Sequence, residues 1–86
     1  MSMITVHVKQ KHIKRGVYGS CSRCPIALAV KERIGRRNVW AAPRCIQIGE
    51  KTFVTPPKSV DTFIKRFDNY LKVNPFSFKL KYDKTK

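Results

Sequence analysis

Acidic residues are scarce in this chain. Five Asp and Glu face 19 Lys and Arg, leaving a formal net charge of +14 over 86 residues. So few carboxylates leave little material for the paired acids and bases of general acid–base catalysis. Apolar runs are equally short: none reaches the ~18 residues that a membrane-spanning helix needs. The N-terminus carries no apolar segment ahead of a small-residue cleavage site. The chain is therefore expected to work in the cytoplasm, with no membrane partner. Its three cysteines are an odd and small number for a disulfide framework, which also needs an oxidising compartment. Neither a phosphate-cradling glycine loop nor serine-triad spacing occurs, so neither an enzyme nor a cofactor is expected. No repeat, linker or low-complexity tract divides the sequence. One domain over residues 1–83 is expected, with a basic tail at 84–86.

The apolar residues that are present, 42% of the chain, suffice for a folded globule. Met3–Val8 alternates, placing Ile4, Val6 and Val8 on one face of a half-buried strand. Gln10–Arg15 forms about one helical turn, stopped by Gly16 in a left-handed conformation. Pro25–Ile34 reads as a helix with Pro25 at its first position and Gly35 as its stop. Its Ile26–Val30 half is apolar all round and expects burial on more than one side. Three short strands follow, at Asn38–Ala41, Arg44–Ile48 and Lys51–Val54, the last two joined by a two-residue Gly49-Glu50 turn. Val60, Phe63, Ile64, Phe67, Tyr70 and Leu71 recur at helical spacing between Thr55-Pro56-Pro57 and Asn74-Pro75. Phe76, Phe78, Leu80 and Tyr82 alternate with polar residues in a final strand. This order predicts an α+β fold: a small, mainly antiparallel sheet with two helices packed on one face.

The charge is uneven along the chain. Residues 1–48 carry a net +9 and residues 49–86 a net +5. On the later helix, Asp61 precedes Lys65 and Asp68 precedes Lys72 by four, the favourable order for helical ion pairs. That face compensates itself. The uncompensated cations are Lys9, Lys11, Lys14, Arg15, Arg23, Arg33, Arg36, Arg37 and Arg44. Some serve the helix dipole at the end of Pro25–Ile34. The rest form a candidate phosphate-facing surface, where arginine forks can bind bidentately. Tyr18 and Trp40 are the aromatics nearest this charge, and either can stack on a base, although a tryptophan in a short strand ordinarily enters the core.

Cys21-Ser22-Arg23-Cys24 has the two-residue gap of a zinc knuckle, which Cys45 with His7 or His12 can complete. A single such pair is a weak signal. Cys24 at a helix start and Cys45 in a strand also suit plain packing, and no metal is expected. A redox role needs a strongly apolar strand just upstream; the segment from Lys14 to Gly19 does not provide one.

His12-Ile13-Lys14-Arg15-Gly16, Cys24-Pro25-Ile26-Ala27-Leu28-Ala29-Val30, Phe63-Ile64-Lys65-Arg66-Phe67-Asp68 and Asn74-Pro75-Phe76-Ser77-Phe78 together resemble a group of small, uncharacterised bacteriophage proteins. In that resemblance Cys24 belongs to the shared pattern and Cys21 does not. It implies a phage product acting inside a bacterial host, and assigns no activity. Two function classes follow. The first is a nucleic-acid-binding protein that grips the phosphates of DNA or RNA. The second is an inhibitor that binds an acidic host protein, or a nucleic-acid channel of host defence or transcription machinery.

Overall fold

Alternation of apolar and polar residues sets the first and last elements against each other. A computed structural model describes residues 3–35, 37–50 and 52–82. In it, β1 (Met3–Val8) and β5 (Phe76–Lys81) form an antiparallel ribbon. Ile4, Val6 and Val8 face inward opposite Leu80, Phe78 and Phe76, while Thr5 and His7 face outward opposite Lys79 and Ser77. On the outer side His7 Nδ1 and Ser77 Oγ lie 2.8 Å apart.

Two helices follow β1. Helix α1 (Gln10–Arg15) is short, and its start is fixed by His12, whose Nδ1 accepts the Lys9 backbone N–H at 2.9 Å. Gly16, expected to be left-handed, is extended at φ −66° and ψ 145°. What requires glycine there is space: a Cβ would sit 2.5 Å from Cδ of Pro25. Helix α2 (Pro25–Ile34) begins with Pro25, and Cys24 caps it by accepting the Ala27 N–H at 3.4 Å. It ends at Gly35, left-handed at φ 71°, whose N–H donates to the Lys31 carbonyl at 2.8 Å. Ile26, Ala27, Ala29 and Val30 are all buried, as an apolar-all-round segment requires.

Strands β2 (Val39–Ala41), β3 (Ile46–Ile48) and β4 (Thr52–Val54) form a separate antiparallel sheet. The β3–β4 register sets Ile48 opposite Thr52, so three residues join them where a two-residue turn was expected. The fold is α+β as expected, with the short α1 turn beside the two longer helices; among the described residues the strands divide into two antiparallel sheets where a single sheet was predicted. The physical reason lies at the strand edges, which other groups occupy. Arg33 Nε donates to the Thr5 carbonyl at 3.1 Å, capping β1 from α2. The Ala41 N–H donates to the Cys21 carbonyl at 2.7 Å, capping β2 from the 16–24 loop. Pro56 and Pro57, just beyond β4, have no N–H with which to prolong a ladder.

Helix α3 (Lys58–Asp68) buries Val60, Phe63, Ile64 and Phe67. It stops well short of the expected Asn74-Pro75. Asn69 Nδ2 donates to the Lys65 carbonyl at 2.7 Å, alongside its own backbone N–H at 3.2 Å. Tyr70 then turns left-handed, at φ 60°. Its N–H donates to Phe67 O at 3.0 Å and that of Leu71 to Arg66 O at 2.9 Å, the two bonds of a Schellman motif. Tyr70 and Leu71, expected in the core, are consequently exposed. The expected Asp68–Lys72 pair cannot form across this turn; Asp68 Oδ1 instead accepts the Gly19 N–H at 3.0 Å. Tyr18 stacks between Phe67 and Tyr70, with both centroid distances 4.5 Å. Together these contacts dock the 16–24 loop on the end of α3. All five strands and both longer helices meet in one apolar core, where Val6, Ile26, Val30, Val39, Ile46, Val60 and Leu80 are fully buried. Among the described residues no helix is long and apolar enough to cross a membrane.

Candidate nucleic-acid interface

The cations singled out in the sequence fall into three places. Lys9, Lys11 and Arg33 lie where α1 and the end of α2 meet β1. Lys9 and Arg33 line a groove of about 230 Å³ there, together with His7 and Glu32. Glu32 has a role that the charge count along the chain did not reveal. Its carboxylate takes Lys11 Nζ at 2.7 Å and also meets Nε2 of the buried His12. Those two hydrogen bonds, Lys11 first, lower its pKa to about 2. Lys11, read as uncompensated, is therefore ion-paired, and Arg33 spends one N–H on Thr5. No sequence spacing announces the Lys11–Glu32 pair, because it joins two helices.

Lys14, Arg15 and Arg23 are exposed around the base of the 16–24 loop, which closes through the Val17 N–H on the Arg23 carbonyl at 2.9 Å. The third place is the β2–β3 hairpin. Ala42 and Cys45 exchange backbone bonds at 2.9 and 3.4 Å, putting exposed Arg44 at the tip. Arg37 is exposed just ahead of β2. Arg36 and the expected 84–86 tail lie outside the described residues. On α3, Lys65 stands 3.3 Å from Asp61 as the i,i+4 spacing predicts; with Lys65 largely exposed, that pair contributes little stability.

The cysteines and histidines disperse. Cys24 is buried as the α2 cap, and burial raises its thiol pKa, which disfavours the thiolate that a metal or a redox reaction requires. His7 is engaged with Ser77, and His12 with Lys9 and Glu32. Among the described residues no three His, Cys, Asp or Glu side chains converge as metal ligands. Cys21 and Cys45 instead line a concavity of about 360 Å³ with Trp40, Ala42, Gln47 and Phe53.

That concavity lies on the outer face of the three-stranded sheet. The register sets Trp40 opposite Gln47 and Gln47 opposite Phe53, a row crossing all three strands. Val39, Ala41, Ile46, Ile48 and Val54 bury the other face. Trp40 is thus 38% exposed and Phe53 63% exposed, where a core position for Trp40 was the ordinary expectation. Phe53 also borders a second concavity, of about 550 Å³, shared with Lys79 and Lys81 of β5. The sequence carried this signal: alternation through β2, β3 and β4 puts the three residues on one face once the strands are paired. In comparisons with protein-family models, curated proteins and solved structures, nothing matches this chain.

Proposed function

We propose that this chain binds nucleic acid, through contacts of its exposed cations to backbone phosphates. One observation carries the reading. Of the 19 basic residues, those described pair with a described carboxylate only at Lys11 and Lys65, and all of those described but Lys31 are exposed. A surface with so little internal compensation repels itself and gains from an anionic polymer whose condensed counterions it can release. Arg37 just ahead of β2, Arg44 at the β2–β3 tip, and Lys14, Arg15 and Arg23 around the 16–24 loop are among the exposed cations whose side chains bond no described group of the protein. The resemblance to small bacteriophage proteins fits such a role inside a host cell.

The test is a salt titration of affinity for a fixed DNA or RNA oligonucleotide. Five or six phosphate contacts predict a log–log slope of about −4.5 to −5.5 on duplex DNA. An affinity that stays flat between low and physiological salt refutes the reading. So does purification from host cells with a stable acidic protein that nuclease does not release, which instead supports an inhibitor.

A further inference from the structure

We infer that the outer face of the β2–β3–β4 sheet is a base-stacking site for single-stranded nucleic acid, with Trp40 and Phe53 as the stacking rings. This rests on the nucleic-acid reading and says which strand form the chain takes and where. A nucleobase in a duplex hides its faces against its neighbours, whereas an unpaired base offers both faces to an aromatic ring. The sheet supplies what such a base needs. Trp40 and Phe53 stand on the outer strands with Gln47 between them, and the concavity they share, about 360 Å³, has room for a base. The amide of Gln47 is held by a 3.1 Å bond from Nε2 to the Gly49 carbonyl, so it presents a fixed polar group to a base edge.

The charge around this face fits the same occupant. Arg44 occupies the hairpin tip next to Cys45, which lines the concavity. On the far side of Phe53, Lys79 and Lys81 border the second concavity, and their two-residue spacing in β5 puts both on the outer face of the ribbon. A strand laid across the sheet therefore meets aromatic, amide and aromatic in turn and then Lys79 and Lys81, with Arg44 at the hairpin tip to one side. No described acid lines either concavity. The other exposed aromatic cluster lacks these features. Tyr18 already has Phe67 and Tyr70 stacked on it at 4.5 Å, and Asp68 is bonded to the adjacent Gly19.

Trp40 is the single tryptophan of the chain, so its fluorescence reports directly on the site. The experiment titrates the full chain with oligothymidylate and oligouridylate of about 12 nucleotides, within the span one small domain covers. A duplex hairpin of equal phosphate count is the comparison. Expected results are quenching of Trp40 by the single strands, tighter binding of at least one of them than of the duplex, and weakening by Phe53→Ala of about 5- to 150-fold. Phe53→Tyr, which keeps the ring, retains binding. Lys79→Ala with Lys81→Ala lowers the salt slope by about 2 while quenching persists. Tyr70→Gly, which removes an exposed ring elsewhere, leaves affinity unchanged. Nucleic-acid binding that survives Phe53→Ala undiminished, or that leaves Trp40 fluorescence unaltered, overturns this site and leaves the phosphate reading standing. No binding of any of the three probes at low salt overturns both.

Discussion

Replacing Tyr70 by glycine should stabilise the protein, and the gain should depend on Tyr18. Tyr70 adopts a left-handed backbone at φ 60° in the position after the α3 cap where glycine is favoured. For a residue with a Cβ this costs about 1 kcal/mol. Opposing that cost is the ring contact with Tyr18, at a centroid distance of 4.5 Å and a 44° tilt. An aromatic pair contributes about 0.5–1.5 kcal/mol, and since Tyr70 is 75% exposed the lower end applies here. Tyr70→Gly thus gains about 1 kcal/mol from the backbone and loses about 0.5 kcal/mol from the ring. In a Tyr18→Ala background there is no ring contact left to lose, and the full gain of about 1 kcal/mol should emerge as a rise in Tm of roughly 4–8 °C. With Tyr18 present the rise should be about half as large. Thermal melts of the four proteins in this cycle measure both quantities. Equal shifts in the two backgrounds would show that the rings are uncoupled. A lower Tm for Tyr70→Gly in the Tyr18→Ala background would refute the left-handed assignment itself.

Two further predictions concern the helices near β1. Glu32 is ionised down to about pH 2 in the folded protein, against an ordinary value of 4.5, because Lys11 and then His12 bond its carboxylate. Its folded-state pKa is depressed, so its stabilising effect is complete above pH 4.5 and is lost as pH falls through about 2. Glu32→Gln should therefore flatten the acid limb of a Tm-against-pH curve over that window; an unchanged acid limb would mean that the Lys11–Glu32–His12 contacts contribute nothing. Gly16→Ala should destabilise by about 1–3 kcal/mol through overpacking against the Pro25 ring, although its backbone is extended and unstrained. A neutral result by chemical denaturation would show that the α1–α2 approach is looser than the 2.5 Å Cβ contact implies.

The sequence disclosed local order more readily than assembly. The bounds of β1, α1 and α2 follow from alternation, from Pro25 and from Gly35, all of which act through neighbouring residues. The end of α3 is harder to read, because apolar spacing continues through Tyr70 and Leu71 although the left-handed Tyr70 has already closed the helix. Gly16 is expected to be left-handed but is extended; its requirement for glycine comes from Pro25, nine residues further on, which no local rule supplies. The division into two sheets depends on Arg33 and Cys21 reaching strand edges, again across the chain. The cation list had the same strength and weakness: exposure of Arg37 and Arg44 was legible, the cross-helix pairing of Lys11 was not. Trp40 and Phe53 became a shared face only when pairing through Gln47 aligned three short strands.

The most direct test of an electrostatic binding face is a comparison at constant charge. Arg37→Ala with Arg44→Ala and Lys65→Ala with Lys72→Ala each remove two positive charges from exposed positions. Arg37 lies just ahead of β2 and Arg44 at the β2–β3 tip, whereas the lysines sit on the α3 side, where Asp61 and Asp68 already weaken the field. Affinity for one oligonucleotide, measured across a salt series, should fall for the arginine pair, with its log–log slope reduced by about 2. The lysine pair should stay close to the unaltered protein. Equal losses in the two variants would show that only total charge matters and that no binding face exists. A larger loss for the lysine pair would put the face on the opposite side of the molecule.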